Sequence, residues 1–291
     1  MTDRAFSDMI DFSYFPGCSM ATTSKECSLS LIQACKYLGL NLIELDDWNC
    51  CGSSSAHCLD IQLGFELAVR NLTLAPANRP LVVMCPSCFR NLRQAKHHLA
   101  QSRKLQESVA RRYDNPVAGK LEIIHFLSVV GQMDMKKLQE KAVWSLHNIK
   151  IAPYYGCMLA GPPPFKPQQG DSVCIERMLE AFGARIVLWP NIRWCCGTFL
   201  TASKPDVARD AVNQIMESAV ASGADCLVTA CAMCQINLEM RCTREKKIPV
   251  LHFSEILAIA MGADEEQWNT WFRYHLVDPR PVFAKLEAAS S

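Results

Sequence analysis

Leu81-Val82-Val83-Met84-Cys85-Pro86-Ser87-Cys88 decides the fold, because Leu227-Val228-Thr229-Ala230-Cys231-Ala232-Met233-Cys234 repeats it. Each stretch is a short, β-rich apolar run that ends on a C-x-x-C pair. It reads as a strand with cysteines just beyond it. Moving outward, the same order appears on both sides. Cys18, then Cys50-Cys51-Gly52, then Cys85 and Cys88 form one set; Cys157, then Cys195-Cys196-Gly197, then Cys231 and Cys234 form the other. The gaps are 31 and 33 residues in the first set and 37 and 34 in the second. The flanks repeat too. Tyr14-Phe15-Pro16-Gly17-Cys18 matches Tyr154-Tyr155-Gly156-Cys157, Trp48-Asn49-Cys50-Cys51-Gly52 matches Arg193-Trp194-Cys195-Cys196-Gly197, and Ile123-Ile124-His125-Phe126 matches Val250-Leu251-His252-Phe253. Chance does not produce a five-cysteine pattern twice. A unit of about 140 residues is a duplicated domain and not a solenoid repeat.

Within each half, β-rich runs alternate with helical patterns. The predicted strands are Ile10–Phe15, Asn41–Leu45, Leu81–Met84 and Leu121–His125, then Ile149–Tyr155, Arg185–Leu188, Cys226–Thr229 and Val250–Phe253. Predicted helices include Lys25–Leu38, Leu59–Ala75, Phe89–Ala100, Val173–Ala181 and Pro205–Ser222. This alternation predicts an α/β fold of two pseudo-symmetric, Rossmann-like halves with parallel sheets. Cys18, Cys85, Cys157 and Cys231 follow strands, and ligands in such sheets gather at the carboxyl ends of strands. Each half is therefore expected to bring its five cysteines to one sheet end. The expected boundaries are 1–130 for the first half, 131–148 for a charged linking helix, 149–263 for the second half and 264–291 for a tail.

The chain has 291 residues, of which 49% are hydrophobic and 20% charged, with 30 basic against 29 acidic side chains. That balance is globular and excludes disorder or a fibrous repeat. A near-neutral charge argues against a general nucleic-acid binder. The apolar stretch Val250–Ala263 is interrupted by His252, Ser254 and Glu255 and is too short for a membrane span. Met1-Thr2-Asp3-Arg4-Ala5-Phe6-Ser7-Asp8 is polar, so no signal peptide is read and a cytoplasmic protein is expected. The 16 cysteines are the outlier. In a large chain without a signal peptide they point to metal or redox chemistry and not to a disulfide scaffold.

A tetrahedral zinc site takes four ligands and leaves a fifth cysteine idle, and a regular four-iron cubane also takes four thiolates. Adjacent cysteines such as Cys50 and Cys51 project in different directions, so they suit different irons of one cluster better than one small ion. Gly52 and Gly197 are expected to let the backbone pass close to inorganic sulfur. Two zinc sites with a spare thiol each, and two metal-free thiol–disulfide pairs, are the competing readings. The second is the poorer one, since C-x-x-C redox motifs need no three distant partners. The chain has no G-x-G-x-x-G fingerprint for a dinucleotide or flavin.

The pattern C-x(31–39)-C-C-G-x(33–36)-C-x-x-C resembles the cysteine-rich CCG domain. Two copies in tandem, from roughly Phe12 to Ser254, resemble the catalytic B-type component of heterodisulfide reductase and its bacterial relatives. The same domain occurs in glycolate oxidase iron–sulfur subunits, lactate-utilisation proteins and thiol-dependent fumarate reductases. The resemblance implies one noncubane [4Fe-4S] cluster on Cys18, Cys50, Cys51, Cys85 and Cys88, and a second on Cys157, Cys195, Cys196, Cys231 and Cys234. It implies that the two face a shared cleft where a disulfide and two thiols are interconverted. Disulfide reduction takes two electrons, and two centres can supply one each without releasing a thiyl radical. The implied partners are a ferredoxin-like iron–sulfur subunit, a flavoprotein subunit and a small or protein-bound sulfur substrate. The alternative is a non-catalytic subunit that only relays electrons inside a larger dehydrogenase.

His57, six residues after Cys51, is the candidate proton donor, since histidine titrates near neutrality. Many archaeal members place His directly after the cysteine equivalent to Cys157; this chain has Met158. That departure puts the archaeal proton-transfer scheme in doubt. His125 and His252 end repeat-equivalent strands and are read as structural. Cys27, Cys35, Cys58, Cys174, Cys226 and Cys242 remain. Core packing is the default for them, with Cys58 set apart because it follows His57. Gly161-Pro162-Pro163-Pro164-Phe165-Lys166-Pro167 reads as a rigid loop or a cleft wall. The aromatic tail with Trp268, Trp271, Phe272, Tyr274 and Phe283 reads as a packed terminal helix or a docking surface.

Overall fold

The computed structural model describes residues 9–54, 56, 59–117, 119–159, 174–284 and 286–288. In chain order the first half runs β1 (Ile10–Phe15), α1 (Gly17–Ala21), α2 (Lys25–Leu38), β2 (Leu40–Glu44), α3 (Ile61–Leu74), β3 (Leu81–Val83), α4 (Pro86–Gln101), α5 (Arg103–Arg112), β4 (Ile123–His125) and α6 (Phe126–Gly131). A connecting stretch holds α7 (Met135–Lys141) and β5 (Trp144–Ser145). The second half runs β6 (Lys150–Tyr154), α8 (Cys174–Ala181), β7 (Arg185–Ile186), α9 (Pro205–Ala221), β8 (Cys226–Thr229), α10 (Ala232–Arg241), β9 (Val250–His252) and α11 (Phe253–Ala260). The tail adds α12 (Glu265–Phe272), α13 (Arg280–Phe283) and β10 (Glu287–Ala288).

The two sheets have the same topology. One is ordered β2-β1-β3-β4 and the other β7-β6-β8-β9. All pairs in both are parallel, with Val83 opposite His125 in one and Thr229 opposite His252 in the other. The inner strands β3, β6 and β8 are buried along nearly their whole length, which is why they read as continuous apolar runs and not as alternating ones.

Helices close on both faces of each sheet, and the two halves share one of those layers. α2 packs on α11, and α6 packs on α8. One large buried cluster joins Leu31 of α2, Phe126 of α6, Met178 of α8 and Ile256 of α11. The Phe126 and Phe253 rings, at repeat-equivalent positions, lie 6.1 Å apart. Separate clusters fill the outer side of each sheet.

Several expectations shift in detail. α4 begins at Pro86, so Cys88 lies in its first turn and not before it; proline is favoured at that first helical position. Residues 131–148, expected as one linking helix, are helical over α7 and then extended at β5, which pairs antiparallel with β10. Trp144 of β5 sits 5.9 Å from Trp268, ring to ring. In the tail, Trp268, Trp271, Phe272 and Phe283 are buried, and Tyr274 is exposed. Most of the aromatic tail therefore belongs to the core.

Candidate functional site

Both cysteine sets lie beyond the carboxyl ends of their strands. Cys18 lies in α1 just after β1, Cys50 and Cys51 follow β2, and Cys85 and Cys88 follow β3; the second half repeats the plan with β6, β7 and β8. Cys18 Sγ is 3.9 Å from Cys50 Sγ, and Cys51 Sγ is 3.1 Å from Cys88 Sγ. The second half gives 3.5 Å for Cys157–Cys195 and 3.4 Å for Cys196–Cys234. Cys85 and Cys231 hydrogen-bond to each other across the two halves. Each set runs from solvent-facing sulfurs at Cys18 and Cys195 to buried ones at Cys85, Cys88, Cys231 and Cys234. The innermost members meet at the junction.

The electrostatics favour thiolates at particular positions. Hydrogen bonds from Cys18 and Cys51 hold Cys50 well below the usual thiol range. Cys157 does the same for Cys195, holding it at about 6. Cys85 is held down first by Cys231, then by Cys88, and also by the backbone amides of Ser87 and Cys88. Cys85 and Cys231 are the N-caps of α4 and α10; the positive end of α4 adds to the stabilisation of negative sulfur at Cys85, whereas Cys231, hydrogen-bonded to Cys85 and buried, is pushed well above the usual thiol range. The thiolate is the form that binds metal.

Among the described residues no group of three or more His, Cys, Asp or Glu side chains is placed to hold a single metal ion. The sulfurs instead form a line of pairs. Five soft thiols per half, spread this way, suit several irons bridged by sulfide better than one tetrahedral zinc.

Gly52 and Gly197 have φ of +81° and +74°, but a Cβ there would meet the Gly64 carbonyl oxygen and the Ala208 Cα, both at 2.9 Å. They let α3 and α9 approach the loop, and the Gly197 amide donates to Cys195 Sγ at 3.4 Å. Gly17 and Gly156, at φ +74° and +65°, turn their Cα toward sulfur: a Cβ would lie 3.0 Å from Cys88 Sγ and 3.3 Å from Cys234 Sγ. Two asparagines also belong to the site, although no sequence motif marks them. Asn91 donates to the Cys51 carbonyl at 2.5 Å, and Asn237 donates to the Cys196 carbonyl at 2.7 Å. Both stand three residues after the second cysteine of a C-x-x-C pair, and that shared offset is the one signal the sequence offers for them.

The repeat is not chemically symmetric. Ser87 donates to Ser53 Oγ at 2.9 Å, and Ser53 Oγ is 3.3 Å from Cys51 Sγ. The position equivalent to Ser87 is Met233. A small cavity over the second set is lined by Ser87, Tyr155, Met158, Phe199 and Met233 beside its cysteines. Arg90 of the first half reaches Met158 of the second, Nη1 to Sδ at 3.9 Å.

His125 and His252 have the structural role expected of them. Each caps the helix that follows its strand, His125 Nδ1 accepting from the Leu127 amide at 3.1 Å and His252 Nδ1 from the Ser254 amide at 3.4 Å. Cys27, Cys35, Cys174, Cys226 and Cys242 are buried. His57, Cys58 and the proline-rich stretch 161–167 lie outside the described residues.

The profile of the cysteine-rich domain family CCG matches residues 12–93 and 151–239. The chain is 29% identical over 263 residues to the 8-methylmenaquinol:fumarate reductase membrane anchor subunit of Wolinella succinogenes, covering 87% of this chain and 92% of that one. It is 27% identical over 282 residues to a protein of Archaeoglobus profundus that is named as like the B-type component of heterodisulfide reductase, with 89% and 93% covered. It is 26% identical over 272 residues to the B-type component of the ferredoxin:CoB-CoM heterodisulfide reductase of Methanosarcina mazei, with 87% of each covered. Among solved structures, a hypothetical protein from Helicobacter pylori superposes with a TM-score of 0.70 at 14% identity, over 91% of this chain and 51% of that one. That likeness concerns the fold alone, and this chain spans about half of the other.

Proposed function

The chain belongs to the CCG cysteine-rich domain family, and from that premise we propose that it is an iron–sulfur oxidoreductase subunit that interconverts a disulfide and two thiols. The observation that carries the reading is the meeting of two complete five-cysteine sets at Cys85 and Cys231. In this reading Cys18, Cys50, Cys51, Cys85 and Cys88 hold one noncubane four-iron cluster, and Cys157, Cys195, Cys196, Cys231 and Cys234 hold the other. Clusters held there would supply one electron each, the two that an S–S bond requires.

The chain's own residues do the rest. Burial of Cys85, Cys88, Cys231 and Cys234 keeps water from the junction. Gly17 and Gly156 leave room beside Cys88 and Cys234. Ser53 and Ser87 form a hydroxyl pair that can stabilise negative sulfur at Cys51. His57 is our candidate for the proton donor to a departing thiolate. We take 1–130 and 149–263 as the duplicated units, joined through 131–148 and followed by the tail 264–291. Several relatives carry names of heterodisulfide reductase subunits. That supports assembly with other subunits, which we take to be a ferredoxin-like iron–sulfur subunit and a flavoprotein, in the cytoplasm. Among the described residues no helix is long and apolar enough to cross a membrane.

A second reading is favoured by the similarity to a fumarate reductase membrane anchor subunit. In it the cysteines relay electrons and no disulfide reacts. Anaerobic purification with iron, zinc and sulfide analysis, then EPR with and without small thiols and disulfides, separates the readings. About eight irons per chain, with signals that change on thiol addition, is the expected result. Thiol-blind signals select the relay. Zinc without sulfide removes both.

A further inference from the structure

Behind the C-x-x-C turn of the second half lies a buried acidic group that the cysteine chemistry leaves unused. Glu26, in the first turn of α2, is 4% exposed. Its Oε2 has no hydrogen-bond partner among the described residues, and its Oε1 lies 3.8 Å from Cys27 Sγ. The Cys27 thiol donates to Gln235 Oε1 at 3.0 Å. Gln235 directly follows Cys234, and its Nε2 lies 3.5 Å from Glu255 Oε2. Glu255 Oε1 is 2.9 Å from His275 Nε2, and His275 Nδ1 is 3.1 Å from Glu239 Oε1. One chain of contacts therefore joins α2, α10, α11 and the tail.

The charges do not cancel. Burial alone would push the His275 imidazole down, but Glu255 and Glu239 bracket it and hold it up at about 10. With both carboxylates ionised and His275 charged, the trio carries one net negative charge. Ionised Glu26 makes that two. Burial first, and Glu255 second, raise the Glu26 carboxyl to about 7. The groups that act on Glu26 are Glu255 on α11, His275 from the tail and Cys27 on its own helix; Gln235 and Glu239 on α10 join the same chain of contacts through Cys27 and His275. Cys27 also feels Cys231 electrostatically. An electron placed on the second cysteine set would add negative charge to the same dry volume, where it is poorly screened.

Among the described residues the first half has no counterpart. The positions equivalent to Gln235, Glu239 and Glu255 are Phe89, Arg93 and Ser128. Among the described residues, only the second set stands beside titratable acids of this kind.

We propose that Glu26 takes up one proton from solvent when the second cysteine-held centre accepts one electron, and releases it on reoxidation. The electron comes from a one-electron donor, and the proton converts the Glu26 carboxylate to the acid, so the buried charge stays constant. The exposed Lys25 beside Glu26 puts water one residue away. Glu26 acts at a distance and is not a catalytic residue. Its partners Cys27 and Gln235 connect it to the C-x-x-C helix. The proposal rests on the reading that the cysteines hold redox centres.

The test is a dithionite redox titration of the anaerobically loaded full chain, followed by EPR from about pH 6 to pH 8. In the wild type, the midpoint potential of one centre is expected to fall with pH through Glu26. Glu26→Gln should flatten that slope and leave the other centre unchanged, and Glu26→Asp should restore it. An unchanged slope in Glu26→Gln, or equal flattening of both centres, overturns the proposal. If Glu26→Gln does not load, the wild-type infrared difference spectrum at about pH 8 decides. A carboxylic acid band that grows on reduction supports the proposal, and its absence overturns it. Wild-type protein without iron and sulfide removes the underlying reading, and this proposal with it.

Discussion

At the scale of single residues, the site depends on atoms that are absent as much as on those present. Gly17 combines a left-handed backbone with a sulfur 3.0 Å from where its Cβ would stand. Gly17→Ala is expected to cost roughly 1–2 kcal/mol in backbone conformation alone and to push Cys88 aside. Urea denaturation and iron content measure the two effects separately. The capping histidines make a prediction about acid. Burial pushes His125 down to about 4 and His252 down to about 3. Both are neutral in the folded chain and protonate near pH 6.5 when unfolded. The unfolded state thus binds more protons below that point, and stability is lost as pH falls from about 6.5 toward 4. A double His125→Asn/His252→Asn variant, which keeps the capping chemistry, should show a shallower loss of urea midpoint over that window. The pairing of these histidines was legible from the sequence, because they end matched strands. The glycines that face sulfur were not, because a missing Cβ acquires meaning only from what lies opposite.

At the scale of elements, each C-x-x-C pair works through the helix that follows it. α4 and α10 present Cys85 and Cys231 as N-caps, and from their next turn Asn91 and Asn237 reach back to the loop carbonyls of Cys51 and Cys196. The loop with adjacent cysteines is thereby tied to the helix carrying the other two. Asn237→Ala would strand the buried Cys196 carbonyl at a cost of about 1–3 kcal/mol. It should loosen the second cysteine set more than the first, which thiol-labelling rates at Cys195 and Cys196 against Cys50 and Cys51 would show. The predicted elements were legible: β1, α2 and β8 fall on their predicted bounds, and the other predicted strands and helices fall within a few residues. The exceptions have local causes. α4 starts early because Pro86 fits a first helical turn, and β5 exists because the tail supplies it with a partner.

At the scale of the whole molecule, the two halves share one helical layer and are not beads on a linker. The tail closes that layer from the second half's side, through His275 between Glu239 and Glu255. His275→Gln removes the charge that balances two buried carboxylates, and a loss of about 3–5 kcal/mol is expected. Thermal unfolding measures it, and Glu26→Gln in the same background should recover part of the loss by removing a third acid. The sequence by itself determined the duplication, the strand–helix alternation and the five-cysteine spacing that the two halves share. Strand patterning and cysteine spacing are local, and a repeat shows itself by comparison within one chain. Only the tertiary structure decided that Cys85 meets Cys231, that Cys27 meets Gln235 across 208 positions of sequence, and that Glu26 is buried beside Glu255. Those encounters depend on how one sheet and its helices pack against the other, and nothing in either segment's own pattern specifies its distant partner.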